Sequence, residues 1–287
     1  MPQLPALIRL MRPHQWLKNV FVFAGLLFSQ TWLNAGSGPL VQRVLLAFAA
    51  FCCLSSMVYI LNDWHDRASD VLHPTKRLRP LASGAVSLPM AALLAVALLL
   101  AALLLAWGNR TLLMLLAVYG VLNLAYSWRL KQVPVVDVSI IAAGFMLRLL
   151  AGTVAVGVPP SRWLLLTGIF VALFLGFCKR KAETFHSASA RRAVLDHYPA
   201  ALLDTFMAVT MTATLATYSL FATSPEALQQ HGERLLYTVP VVIFGMLRYT
   251  YQVHRGRGED VARDLLRDPW ITAAGVLWLL IFFSRWW

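Results

Sequence analysis

VLLAFAAFCCLSSMVYILNDWHDRASD, residues Val44–Asp70, decides the fold. From Val44 to Leu61 the run carries no charge and approaches the ~20 residues that cross a hydrocarbon core. Lipid offers a polar backbone no partners, and the run is too long and too uniformly apolar for a barrel strand, so it predicts an α-helical span. Similar segments recur at about 19–35, 41–61, 88–107, 111–128, 136–156, 162–178, 203–222, 235–253 and 270–287. With 59% hydrophobic and only 13% charged residues, the composition excludes an ordinary soluble domain. The fold class expected is all-α: a polytopic membrane protein of nine transmembrane helices, forming one domain over residues 1–287. The first residues, MPQLPALIRLMRPHQWLKN, show no small-residue cleavage site after a short apolar core, and no removable signal peptide is expected.

The net charge of +12 raises nucleic acid as a partner, and its distribution removes the need for one. Under the nine-span reading, 18 of the 25 Lys and Arg residues fall on one side and 5 on the other, with Arg148 and Arg248 inside spans. That asymmetry puts the N-terminus and the basic loops in the cytoplasm, at a bacterial-type inner membrane. Eleven of the thirteen acids lie on or beside the same face, although acids contribute little to orientation. The cytoplasmic face is therefore where chemistry is expected.

Asp63, Asp66 and Asp70 stand at i, i+3 and i+7, which on a continuous helix shares one face, with Asn62 beside them. Converging carboxylates need a cation. Oxygen donors without a His or Cys at ligand spacing point to Mg²⁺, bound by Asn62, Asp63, Asp66 and Asp70 and completed by water and substrate phosphates. His65 lies on another face. The plainer alternative is a solvated loop whose acids pair with the following cations. Of these, Lys76, Arg77 and Arg79 suit the counter-charge of a diphosphate, and equally an anchor at the membrane surface. Cys52, Cys53 and Cys178 sit in apolar spans and read as small buried side chains, with no metal or disulfide framework. Arg148, midway along a span, costs at least ~2.5 kcal/mol if left alone, so it needs a phosphate or a structural partner such as Asn123 or a carbonyl. GRGEDVARDLLRD, 256–268, sets Glu259, Asp260, Asp264 and Asp268 on an interfacial helix paired with Arg263 and Arg267, or beside a second metal.

NDWHDRASD fits N-D-x-x-D-x-x-x-D, and the sequence there resembles the first aspartate motif of the UbiA superfamily of intramembrane prenyltransferases. The resemblance implies a ring of helices around a central cavity, capped by cytoplasmic loops at about 62–87, 129–135, 179–202 and 254–269, with a lateral opening to lipid. Aromatic-prenylating members carry a second acidic motif after the sixth span. This chain has FCKRKAETFHSASARRAVLDHY there, with Lys179 and Arg180 ahead of Glu183. With RPHQWLKNVFVFAGLLF and YSWRLKQVPVVDVSIIAAGFMLRLLAG, the pattern is similar to the decaprenyl-phosphate phosphoribosyltransferase branch. That branch uses 5-phosphoribosyl diphosphate (PRPP) and a polyprenyl phosphate. The common Y-x-x-x-K motif is here Tyr126 followed by Arg129 and Lys131. Lys179, Arg180 and Lys18 are candidates for the phosphate ends of PRPP, or for contacts to anionic lipid.

The expected reaction moves 5-phosphoribosyl from PRPP to the lipid phosphate and releases diphosphate. A phosphate monoester with a second pKa near ~6 is already ionised, so no activated Ser, Cys or His is required. Two alternatives stay open: transfer of a prenyl group from its diphosphate to an aromatic acceptor, and transport of a phosphorylated lipid. Transporters place binding charges near the bilayer midplane, whereas here nearly all charge is at one surface.

Overall fold

In the computed structural model the apolar runs become helices because each is greasy around most of its circumference and satisfies its own backbone. The structure describes residues 3–29, 38–74, 76–185, 193–258, 264 and 267–284. In chain order the helices are α1 (Gln3–Met11), α2 (Ala24–Ser29), α3 (Gly38–His65), α4 (Arg67–Leu72), α5 (Leu88–Leu105) and α6 (Arg110–Trp128). They continue with α7 (Val136–Val156), α8 (Arg162–Glu183), α9 (Ala200–Ala222), α10 (Pro225–His231), α11 (Arg234–His254) and α12 (Pro269–Phe283). No strand occurs among the described residues. Two span starts are capped by side chains that favour that position. Asn109 accepts from the Leu112 amide at 3.0 Å, and Ser161 from that of Leu164 at 3.1 Å.

Six helices among the described residues, α3 and α5 to α9, are long and apolar enough to cross a membrane, where nine spans were expected. The other three differ for separate reasons. The segment expected at 19–35 begins as a 3₁₀ helix over Pro13–Phe23, entered through Arg12 in the left-handed conformation, and runs into α2, while residues 30–35 lie outside those described. A close backbone approach to α7 fixes its course, of the kind that small residues allow between membrane helices. A Cβ on Gly25 would stand 2.8 Å from the Thr153 nitrogen. α11 has the length of a span but holds Pro240, Arg248 and Gln252. α12 has 15 residues, about 22 Å of helix, and residues 285–287 lie outside those described. By contrast α3 has 28 residues. At the helical rise it runs about 42 Å, more than the hydrocarbon thickness of about 30 Å.

The chain divides into two compact units: Met1–Arg129 with Leu147–Pro160, and Leu130–Met146 with Ser161–Trp287. Helix α7 therefore contributes its first half to the second unit and its second half to the first. In the first unit α3 packs against α1, α5, α6 and the 3₁₀ segment, around a core that includes Phe51, Leu54, Ile60, Leu116 and Tyr119. In the second, α8 pairs with α9 and α11 with α12, around Phe174, Phe177, Leu203, Met207 and Val253. The beginning of α7 comes close to α8: a Cβ on Gly176 would lie 2.6 Å from Val138 Cγ1.

Candidate active site

The overlong α3 carries Asn62 and Asp63 in its last turn, beyond the apolar run. The helix stops at His65, Asp66 occupies a turn, and the chain restarts as α4. The three aspartates are thus shared between two helices and the turn that joins them, with the Asp66 amide bonded to the Asn62 carbonyl and the Asp70 amide to the Asp66 carbonyl, both at 2.9 Å. Two of them still meet. Asp63 and Asp70, each 2% exposed, are bridged by the Arg79 guanidinium, whose Nη1 lies 3.2 Å from Asp63 Oδ1 and 2.7 Å from Asp70 Oδ2. Arg12 adds a second cation, its Nη2 2.5 Å from Asp63 Oδ1 and its guanidinium 5.2 Å from the Tyr59 ring centre.

The loop behind α4 turns Arg79 inward. Arg67 Nε donates to the Leu81 carbonyl at 3.2 Å. Gly84 takes a positive φ of 74°, a conformation that favours glycine. Lys76 and Arg77, the other two cations that the sequence suggested beside Arg79, lie exposed on a short 3₁₀ turn. Asp66 is half-buried, and its carbonyl accepts from the Ser69 hydroxyl at 2.8 Å. Asn62 is tied to α6 by the Ser127 hydroxyl, which donates to its Oδ1 at 2.5 Å. His65 is exposed.

The donors gathered here are oxygens, and Asp63 Oδ2 is buried without a hydrogen-bond partner. An unsatisfied carboxylate oxygen in a dry place is costly, and a hard divalent cation is the kind of ligand it suits. Among the described residues no three His, Cys, Asp or Glu side chains gather closely enough to hold a metal. The fit is therefore to a cation held by the Asp63 and Asp70 carboxylates and completed by water or substrate oxygens, rather than to a three-aspartate cage.

Deeper in the first unit, Arg148 is 5% exposed. Its Nε donates to Asn19 Oδ1 at 2.6 Å and its Nη2 to the Tyr119 hydroxyl at 2.8 Å, with the guanidinium 4.7 Å from the Tyr119 ring centre. Asn19 in turn donates to Cys52 Sγ at 3.2 Å and Ser55 Oγ at 3.3 Å. These contacts give the intramembrane cation structural partners in Asn19 and Tyr119. Lys18 is half-buried and donates to Gln15 Oε1, and Tyr126 is half-buried on α6.

In the second unit, the basic motif is largely engaged. Arg180 is wholly buried, with Nε 2.6 Å from Asp137 Oδ2 and Nη1 2.6 Å from Glu183 Oε2. Asp137 also accepts from the Tyr198 hydroxyl at 2.8 Å, and that oxygen accepts from the Val135 amide at 2.5 Å. Burial pushes the Tyr198 phenol up to about 12, so it remains a donor at neutral pH. Lys181 pairs with Asp204 at 2.8 Å, whose other oxygen lies 3.1 Å from His254 Nε2. Lys179 and Lys131 are half-buried.

In the 254–269 segment, Asp268 is held by Arg248 at 2.9 Å and by Gln252, and accepts from the Trp270 and Ile271 amides as the cap of α12. Its hydrogen bonds from Arg248 keep the carboxyl below the usual carboxylate range. Asp264 accepts from the Gly258 amide at 2.8 Å; Glu259, Asp260 and Arg263 lie outside the described residues. Sequence reasoning missed Arg12, Asp137 and Tyr198. A lone acid opening an apolar run, as Asp137 does, is the signal that would have drawn attention to it, because a span tolerates such a group only with a partner.

The UbiA prenyltransferase family model matches residues 20–284. The chain is 32% identical to the decaprenyl-phosphate phosphoribosyltransferase of Mycolicibacterium smegmatis, covering 95% of this chain and 90% of that one. It is 33% identical to the protein of the same name from Corynebacterium glutamicum, covering 95% and 84%. Among solved structures it resembles a UbiA homolog from Archaeoglobus fulgidus bound to DMAPP and Mg²⁺, with a TM-score of 0.73, 20% identity and 96% of each chain covered. With its apolar helices and the family match, the chain is an integral membrane protein and belongs to the UbiA prenyltransferase family.

Proposed function

We propose that this chain transfers a 5-phosphoribosyl group from PRPP to a polyprenyl phosphate of decaprenyl type. The observation that carries the reading is the buried Asp63–Asp70 pair at the end of α3, set among Arg12 and Arg79 and holding one carboxylate oxygen without a partner. A site of that composition suits a diphosphate accompanied by a divalent ion, and the names of the relatives at 32% and 33% identity support PRPP as its bearer. The whole chain is read as one membrane domain, with its acidic end at the cytoplasmic side of an inner membrane.

In this reading the lipid phosphate, already mostly ionised, attacks C1 of the sugar with one oxygen. The C1–O bond to the diphosphate breaks, and diphosphate leaves with the electron pair. Asp63 and Asp70 would hold a Mg²⁺ ion, which would supply Lewis-acid stabilisation of the charge developing on the leaving group. Arg79 and Arg12 are proposed to share that charge through their guanidinium donors, and the exposed Lys76 and Arg77 to draw in the anionic substrate. Asn62 and Asp66 are proposed to steady the bend that presents the pair. Lys18, Tyr126 and Arg148 in the first unit, and Lys131, Lys179, Arg180 and Glu183 in the second, are proposed to bind or position anionic groups. Arg180 does so indirectly, because its own charge is spent on Asp137 and Glu183.

The test uses membranes containing the chain, PRPP labelled in the ribose, and a polyprenyl phosphate. Label appearing in the lipid extract, with diphosphate released, supports the reading. No lipid label, together with prenylation of an aromatic acid from a prenyl diphosphate, would replace it with the prenyl-transfer alternative.

A further inference from the structure

We infer that Tyr198 is a positioning residue for anion binding by the second unit, acting through Asp137. The inference rests on the phosphoribosyl-transfer reading for the identity of the anion. The hydroxyl ties its own loop to the entry of α7 at two points, and α8 joins them through the far oxygen of Asp137. The Val135 amide donates to it at 2.5 Å, it donates to Asp137 Oδ1 at 2.8 Å, and the other Asp137 oxygen accepts from Arg180 at 2.6 Å. Val135 has a φ of 67°. A β-branched side chain resists that left-handed conformation, so the bend entering α7 persists only where surrounding contacts impose it. The Tyr198 hydroxyl is such a contact.

The bend lies four residues after Lys131, and Arg180 directly follows Lys179 on α8. The phenol therefore holds the Val135 amide directly and reaches the Arg180 side chain, next to Lys179, only through Asp137. Tyr198 and Asp137 are both buried, at 3% and 0% exposure, so neither has to touch substrate to act. Phenylalanine would fill the same apolar space beside Val194 and Leu203. Packing alone therefore does not explain the hydroxyl, whereas a buried hydrogen-bond network does.

Tyr198→Phe tests this, because it removes only the oxygen. Purified full-length protein in lipid nanodiscs is compared with the variant by hydrogen–deuterium exchange over 133–138 and by steady-state kinetics with PRPP. The expected result is faster exchange at the bend, a KM for PRPP raised roughly tenfold, and a kcat within about twofold of wild type. Unchanged exchange, an unchanged KM, or a fall in kcat that tracks lost thermal stability would each overturn it. Failure of the underlying reading shows differently: the unmodified protein would then leave PRPP unconsumed.

Discussion

Removing Arg79 should unsettle the end of α3 in a way that is coupled to its partner Asp70. Arg79→Ala leaves Asp70, 2% exposed, without the guanidinium 2.7 Å from its Oδ2, whereas Asp63 keeps Arg12 at 2.5 Å. Taking one partner from a buried pair costs about 3–5 kcal/mol. Arg79 is itself 28% exposed. Water screens part of that interaction, so a loss of about 2–3 kcal/mol is expected. Adding Asp70→Asn removes the stranded charge, and the double variant should be less unstable than the sum of the single ones by about 1–2 kcal/mol. Unfolding in mixed detergent micelles, followed through the chain's 10 tryptophans, measures all four corners of the cycle. Additivity within about 0.5 kcal/mol would refute the coupling and, with it, the account of how the two aspartates are brought together.

Other consequences of the geometry are directly measurable. Asp63→Asn and Asp70→Asn should each lower PRPP turnover by about a hundredfold or more while the protein still inserts in membranes; full turnover by either would end the proposed metal role. Arg180→Ala should destabilise by about 3 kcal/mol because Asp137 and Glu183 lose their cation, whereas Lys179→Ala should weaken PRPP binding with little change in melting temperature. Arg148→Met should cost about 2 kcal/mol through Asn19 and Tyr119, read in the same unfolding assay. The methyl of Gly176→Ala would stand 2.6 Å from Val138 Cγ1. That substitution should cost about 1–3 kcal/mol, and Val138→Ala should restore most of the loss.

The uniform apolar runs made most spanning helices legible, because such a run has one solution in lipid whatever packs beside it. Pro13–Phe23 was not legible: its 3₁₀ course depends on Arg12 adopting φ 54° and on a tight approach to α7, both tertiary effects. The aspartates were visible as a charge cluster, and the pair that meets, Asp63 and Asp70, stands at the i and i+7 positions that helical spacing brings together, but the Arg79 that bridges them comes from a loop the spacing does not place. Arg79 rather than Lys76 or Arg77 reaches them because the following loop, pinned by Arg67, points it inward. Arg180 looked like a free phosphate ligand because its carboxylate partner lies 43 residues earlier, inside an otherwise apolar segment.

The length of α3 bears on how two dissimilar reactants meet. Residues 38–43 of α3 precede its uncharged run and residues 62–65 follow it, so about 6 Å of helix, roughly one turn, carries on past the run at the aspartate end. Asn62 and Asp63 occupy that turn. In the proposed reaction a multiply charged sugar would then reach the aspartates from water without shedding its hydration at a greasy barrier, while a long isoprenoid partner would stay dissolved in the bilayer and offer only its head.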